Sequence, residues 1–424
     1  MNNRRRNLAH TLRALKHYNY RLFFLGQGVS LIGTWMQQVA MAWLVYKLTG
    51  SATLLGLVGF VSQIPNLLIM PFAGVLVDRF DRRRIILATQ TLSMLQAALL
   101  SVLVFTNTIQ IWHIFGLGLF LGLVNAVDMP ARQAFIVKMV SKKEDLGSAI
   151  ALNSAMFNGA RLIGPTIAGI IIAAAGERAC FVVNAVSYLA VIASLFAMKI
   201  SYERPERREK SVFKDLLEGT RYTVKSAPIR SLLILVSFLS LIAMPYITVM
   251  PVVAKVVLFG DSSTYGFLMG AVGVGALCGA MFLGSRKSFT VLWRFIPIAG
   301  TLFGAGLILV SFSRTFWLTM ALASITGFGM MVTLASSNTL IQNIVHDDKR
   351  GRVMAFYSAA MMGTLPFGNL IMGKVVDAIG APYTLLIGGC LAVLAAGLFS
   401  TRISNLKRIS SEQITADAKE ALSK

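Results

Sequence analysis

The sequence predicts an all-α membrane protein of twelve transmembrane helices arranged as two pseudo-symmetric six-helix bundles, and three observations carry that prediction. Of 424 residues, 56% are hydrophobic and 14% charged, with a mean hydropathy of +0.69, which excludes an ordinary soluble protein. A span needs about 20 apolar residues, so this length holds roughly a dozen spans and no sizeable soluble domain. Lys and Arg are segregated: 34 of the 40 fall in alternate loops and both termini, five (Lys47, Arg178, Lys255, Arg314, Lys374) fall on the other side, and Arg161 lies inside a span. That bias places both termini in the cytoplasm. Finally, residues 144–170 and 348–374 align at a constant offset of 204, pairing Gly147 with Gly351, Gly164 with Gly368 and Gly169 with Gly373. Parallel six-helix halves of this kind are a transporter architecture, with the solute site between them near the midplane.

Taken in order, an arm at 1–19 precedes spans near 20–47, 53–78, 84–106, 111–138, 147–175 and 179–199, which form a first bundle over 20–199. A cleaved leader is not expected, because Gln27, Ser30 and Gln38 interrupt the first apolar stretch. A basic cytoplasmic linker at 200–228 follows, in which Val212, Leu216, Leu217 and Tyr222 recur at helical spacing and suggest an amphipathic helix on the membrane surface. Spans near 229–257, 264–284, 291–312, 316–343, 352–378 and 383–401 form the second bundle over 229–401, and a polar, partly disordered tail is expected at 402–424. The net charge of +22 reflects cytoplasmic loops rather than nucleic-acid binding. Cys180, Cys278 and Cys390 have no metal-ligand spacing and read as buried thiols; neither a metal nor a cofactor is expected. With no GxxxxGK[ST] segment and no nucleophile-base pair in the spans, the chain does not read as an ATPase or an enzyme.

After the second span comes GVLVDRFDRRR, comprising Gly74, Asp78, Arg79, Arg82, Arg83 and Arg84. It resembles the GxLxDRxGRRR signature of the major facilitator superfamily, with Asp81 where the family has glycine. DMPARQAF at 128–135, GPTIAG at 164–169 and DDKRGRVMAFYS before the eleventh span are similar to the branch that includes the bacterial enterobactin exporter and related drug or siderophore exporters. The resemblance implies the major facilitator fold, alternating access, and a gate in which Asp78 latches the halves together, with Arg132 and the start of the eleventh helix near Gly351 and Arg352 as partners. It further implies that helices 1, 4, 7 and 10 line a central cavity. Gly164, Pro165 and Gly169 are similar to the helix-5 antiporter motif, with alanines at 160 and 168 where that motif has glycines.

Polar residues inside apolar spans are costly and therefore informative. Gln27, Ser30, Thr34 and Gln38 make a stripe on helix 1; Asn125, Asn158, Tyr246, Asn338 and Gln342 complete the candidate cavity set. Equally open for these is interhelical hydrogen bonding without solute contact. Arg161 lies near mid-bilayer, either attracting an anionic solute or standing in an ion pair with Asp128. Asp128, the deepest acid, is the candidate for proton coupling, although its position also suits a helix-end cap. The leading expectation is a monomeric, proton-coupled exporter of a small amphipathic organic solute, surrounded by lipid. Alternatives are a carrier of lysophospholipid or another lipid-like solute, or a non-transporting sensor or scaffold of the same fold.

Overall fold

In the computed structural model, residues 13–140, 142–199, 220–286, 289–346 and 349–422 are described. They are almost wholly helical. The long helices are α1 (Tyr18–Thr49), α2 (Ala52–Arg79), α3 (Arg82–Phe105), α4 (Ile111–Met139), α5 (Leu146–Ala175) and α6 (Glu177–Ala197). They continue with α7 (Ala227–Val257), α8 (Ser262–Gly284), α9 (Leu292–Phe312), α10 (Phe316–Ile344), α11 (Arg350–Ile379) and α12 (Ala381–Leu422). Among the described residues, eleven of these helices carry a segment long and apolar enough to cross a membrane. The other, α1, has 32 residues and reaches that length easily, but Gln27, Ser30, Thr34, Gln37 and Gln38 lower its hydropathy. The stripe that made helix 1 interesting is also what makes it the least lipid-like.

Two corrections to the expected layout follow. Residues 402–422, expected as a polar, partly disordered tail, continue α12 as helix. Ala, Leu, Arg, Lys, Glu and Gln make up 12 of its 21 residues, and Arg408 lies 3.9 Å from Glu412 one turn on, so local propensity and an i,i+4 pair both favour the helix. Of the three cysteines, Cys180 is buried but Cys278 and Cys390 are exposed; an apolar span hides a thiol only on its protein-facing side. Of the expected amphipathic helix, Val212, Leu216 and Leu217 lie outside the described residues, while 220–225 is helical and Lys349 sits 4.8 Å above the Tyr222 ring.

The chain divides into two compact units. The first takes in α1, α2 from Val61 onward, α3 to α6, and Asp261–Gly270; the second takes in Ser51–Phe60, α7, and the chain from Ala271. In the first unit, Tyr20, Phe23, Ile86, Phe135, Ile136 and Met139 form a buried core with Leu152, Tyr188 and Leu195. The chain start is tied to it by Tyr20 Oη donating to Ala149 O (2.8 Å) and Ala14 N donating to Ser148 Oγ (3.1 Å). Asn19 and Lys199 exchange two bonds of 3.0 and 2.9 Å, joining the beginning of α1 to the end of α6.

The second unit holds two interrupted helices. Pro245 cannot donate to the helical ladder, and α7 divides there into Ala227–Ile242 and Tyr246–Val252. In α11 a π turn at Ala359–Gly363 precedes Leu365–Ile379, which carries Pro366 in its first turn. The two breaks meet: Thr364 Oγ1 donates to Ser237 O (3.3 Å) and Gly368 packs against Leu241 and Pro245. Pro130 and Pro165, by contrast, are accommodated inside α4 and α5 without such a division.

Candidate functional site

Among the described residues, buried amide and carboxylate side chains concentrate in the interior of the first unit, whereas the second buries mainly hydroxyls. Asp128, on α4, is 1% exposed. Its Oδ1 accepts from Thr89 Oγ1 (2.6 Å) and Gln90 Nε2 (3.0 Å) on α3, and its Oδ2 lies 2.6 Å from Arg132 Nε one turn along α4. That last contact is an ion pair without an aligned hydrogen bond, since neither Oδ2 nor Nε has a directional partner. One carboxylate therefore ties α3 to α4 through neutral donors while balancing a guanidinium. Further along α3, Gln37 Nε2 donates to Gln96 Oε1 (3.2 Å), and Asn184 Nδ2 donates to Gln37 Oε1 (2.7 Å). Gln37, Gln96 and Asn184 are all buried, and they cross-link α1, α3 and α6. Hydrogen bonds in such a setting are held because the alternative is an unpaired polar group in a dry interior.

Arg161 takes a different partner from the Asp128 that sequence reasoning offered as one of two. Its guanidinium lies 5.6 Å from the centre of the Trp35 ring, within cation–π range, and Trp35 in turn meets Phe157 edge-on at 5.9 Å. Gly164 makes this possible: a Cβ there would stand 2.5 Å from Trp35 Cβ and 3.0 Å from Ile32 O. The close approach of α1 and α5 thus seats the indole beneath the cation. Pro165 and Gly169 follow on α5, with Gly169 backbone-close to Gly266.

The remaining candidates separate. On α1, Gln27 and Ser30 are buried, Thr34 is half-buried and returns its hydroxyl to Ser30 O (2.9 Å), and Gln38 is exposed. Gln27 Oε1 is buried without a hydrogen-bond donor. Asn125 is half-buried. Tyr246 is fully buried, edge-on to Phe303 at 6.0 Å, so in this conformation it lines no open space. On α10, Gln342 donates to Asn338. The side chains of Asn158, Gly74 and Asp78 lie outside the described residues. Arg79 is exposed at the end of α2, whereas Arg82 Nη1 donates to Ala134 O (3.4 Å) and Arg83 Nη2 to Phe196 O (3.3 Å), anchoring the start of α3 to α4 and α6. Asp81, the departure from the family glycine, is the N-cap of α3, accepting from Arg83 N (2.7 Å) and Arg84 N (3.3 Å).

Sequence reasoning missed Thr89, Gln90, Gln96, Gln37 and Asn184. A signal was present: Thr89, Ser93 and Gln96 recur at spacings of four and three on α3, the same rule that found the α1 stripe.

Outside the spans, Asp145 at the start of α5 lies 3.0 Å from His17 Nε2. The hydrogen bond to His17, with the neighbouring charges of Arg13 and Lys142, holds its carboxyl below the ordinary value of 3.8.

Similarity to known proteins agrees with this architecture. The chain is 28% identical over 395 residues to a staphyloferrin A transporter of Staphylococcus aureus, covering 89% of this chain and 95% of that one. It is 21% identical to macrolide efflux protein A of Streptococcus pyogenes, covering 92% and 100%. Against the multidrug efflux pump Tap of Mycolicibacterium fortuitum identity is 24%, covering 88% and 92%. In fold it superposes on a bacterial homologue of the lysosomal transporter Spinster, with a TM-score of 0.68 at 12% identity over 94% of this chain and 98% of that one. The nucleoside transporter NupG gives 0.67 at 13% identity over 91% and 98%. Matched over residues 9–422 to the transmembrane secretion effector family, the chain belongs to that family of major facilitator membrane transporters.

Proposed function

We propose that the protein is a secondary active exporter that moves a small amphipathic organic solute out of the cytoplasm by alternating access, driven by protons through Asp128. The observation that carries this reading is the buried carboxylate shared by Arg132, Thr89 and Gln90. A proton arriving on Asp128 cancels the charge that balances Arg132, so the ion pair is exchanged for a buried cation seeking another acceptor. That provides a local event able to bias a conformational equilibrium. The efflux relatives support the direction of transport and, being bacterial, an inner-membrane location, and the segregation of Lys and Arg supports cytoplasmic termini. The Arg161–Trp35–Phe157 cluster supports a solute carrying a carboxylate or other anionic group next to a planar or apolar part, since it offers a cation and ring faces together. We read the six-helix halves as a complete, monomeric transport unit.

The test is efflux of anionic siderophores, macrolides and cationic dyes from energised vesicles. In Asp128→Asn, gradient-driven efflux is expected to fall at least about tenfold while solute exchange without a gradient persists. Full gradient-driven efflux in Asp128→Asn would remove the coupling assignment.

A further inference from the structure

At its start, α2 is capped by a residue from the far end of the chain. The first N–H groups of a helix have no partner within it; here those of Ala52, Thr53 and Leu54 are met by side chains, and Leu55 N makes the first helical bond. Ala52 N donates to Asp377 Oδ1 (2.8 Å) and Thr53 N to Asp377 Oδ2 (2.8 Å). Leu54 N donates to Ser51 Oγ (3.2 Å) and Leu55 N to Ser51 O (3.3 Å). Ser51 Oγ also donates to Asp377 Oδ2 at 2.8 Å. Asp377 belongs to the last turn of α11, 325 residues from Ala52. The carboxylate is bidentate, aimed at the positive end of a helix dipole, and made complete by a hydroxyl.

The two helices are built to meet here. A Cβ on Gly373 would overlap Ala52 O, one on Gly56 would overlap Asn369 O, and Phe60 stands edge-on to Phe367 at 5.4 Å. The division into compact units agrees: Ser51–Phe60 belong to the unit that contains α11, while α2 from Val61 onward belongs to the other. One helix is thus shared between two compact bodies, and its Asp377-capped turns are the part held by the second.

We propose that Asp377 is a gating residue of the transport cycle, a detachable latch that holds the start of α2 on α11 at the end of the pair opposite the basic Asp78 motif. This rests on the alternating-access reading, because only a cycle that parts α2 from α11 requires the latch to open. Its chemistry suits repeated opening. When the helices separate, water can replace the carboxylate at Ala52 and Thr53, which lie at the very start of the helix, so no polar group is stranded in lipid. A purely structural cap needs no remote acceptor: α8 has one of its own, Asp261, whose Oδ1 accepts from Thr264 N at 3.0 Å.

The experiment measures distances between spin labels at Leu48 and Ile379, both exposed and three and two residues in sequence from Ser51 and Asp377, in the full chain in lipid nanodiscs with Cys278 and Cys390 replaced by alanine. The parent should show a dominant short distance. Asp377→Asn leaves one acceptor oxygen and turns an amide N–H toward a backbone donor, so the ratio of long to short distances should rise about tenfold. Asp377→Glu should restore most of the short population, and Ser51→Ala should shift it less than Asp377→Asn, providing the test should the asparagine variant fold poorly. Asp261→Asn, which removes a local cap, should leave the distances unchanged. Unchanged distances in Asp377→Asn and Ser51→Ala, or an equal shift in Asp261→Asn, would overturn the proposal. None of these readouts needs solute or a proton gradient, so they stand or fall separately from the assignment of Asp128.

Discussion

The interiors of the two units weight two solutions differently, although each also holds the other kind: Ser187 and Ser194 return to their own helix in the first, and Tyr357 reaches Leu334 O and Thr248 reaches Asn369 in the second. In the first, polar side chains reach across to neighbouring helices: Asp128 to Thr89 and Gln90, Gln37 to Gln96 and Asn184. In the second, buried hydroxyls return to their own backbone one turn earlier, Thr326 to Leu322 O, Thr333 to Gly329 O and Ser337 to Thr333 O. The first unit also keeps its proline-bearing helices α4 and α5 undivided, while the second breaks α7 and α11 next to each other. Cross-helix bonds resist relative helix motion, and self-satisfied hydroxyls do not. The comparison teaches that a repeated sequence can yield one half whose buried amides and charge are cross-linked between helices and one in which two neighbouring helices are broken.

The largest expected effect comes from breaking the charged centre of the cross-linked half. Asp128→Leu leaves Arg132 without its counter-ion in a buried site, at a cost of about 3–5 kcal/mol. Thermal unfolding in detergent should show a large drop in Tm, and the double replacement Asp128→Leu with Arg132→Leu should recover most of it. If the double variant is no more stable than the single one, the pair is not what the interior is organised around.

A smaller effect compares like with like across the two units. Gln96→Leu strands the Gln37 amide donor and frees the Leu117 carbonyl that Gln96 also reaches at 3.4 Å, costing about 1–3 kcal/mol. Thr333→Val, equally buried, removes a hydroxyl that serves only its own helix, and should change stability by less than about 1 kcal/mol. Equal losses in chemical unfolding of the two variants would erase the distinction between the units.

How much of this was legible in the sequence depends on the range of the interaction. Span positions, the charge bias and the six-plus-six repeat are properties of composition and period, and they could be read directly. The Asp128 site was half legible: burial of an acid in a span singled it out, but its partners depend on which face of α3 meets α4, and that is fixed by packing. Arg161 shows the same limit, because the approach of Trp35 depends on what Gly164 leaves empty. Asp377 was invisible, since nothing near it in sequence shows that the first N–H groups of α2 stand within reach. Asp81 was read as a departure from a motif, although an acid immediately before a helix is itself a capping signal.

The smallest effect lies at the edge of the cross-linked half, where the chain start docks on α5. Asp145 is held below its ordinary carboxylate value, first by its hydrogen bond to His17 and then by the charges of His17, Arg13 and Lys142. A carboxylate with a lowered folded value stabilises the folded state above the ordinary value of 3.8 and loses that contribution as the pH falls through the lowered one. Docking of the chain start should therefore weaken as the pH falls below about 4, with no change in the spans. Hydrogen exchange at Ala14, whose N–H is held by Ser148 beside this pair, reads the change once rates are corrected for intrinsic pH dependence. Asp145→Asn should exchange at neutral pH as the parent does in acid. Protection at Ala14 that is unchanged in Asp145→Asn would show that the Ser148 and Tyr20 bonds hold the chain start unaided, and that the network of the first unit ends at its helices.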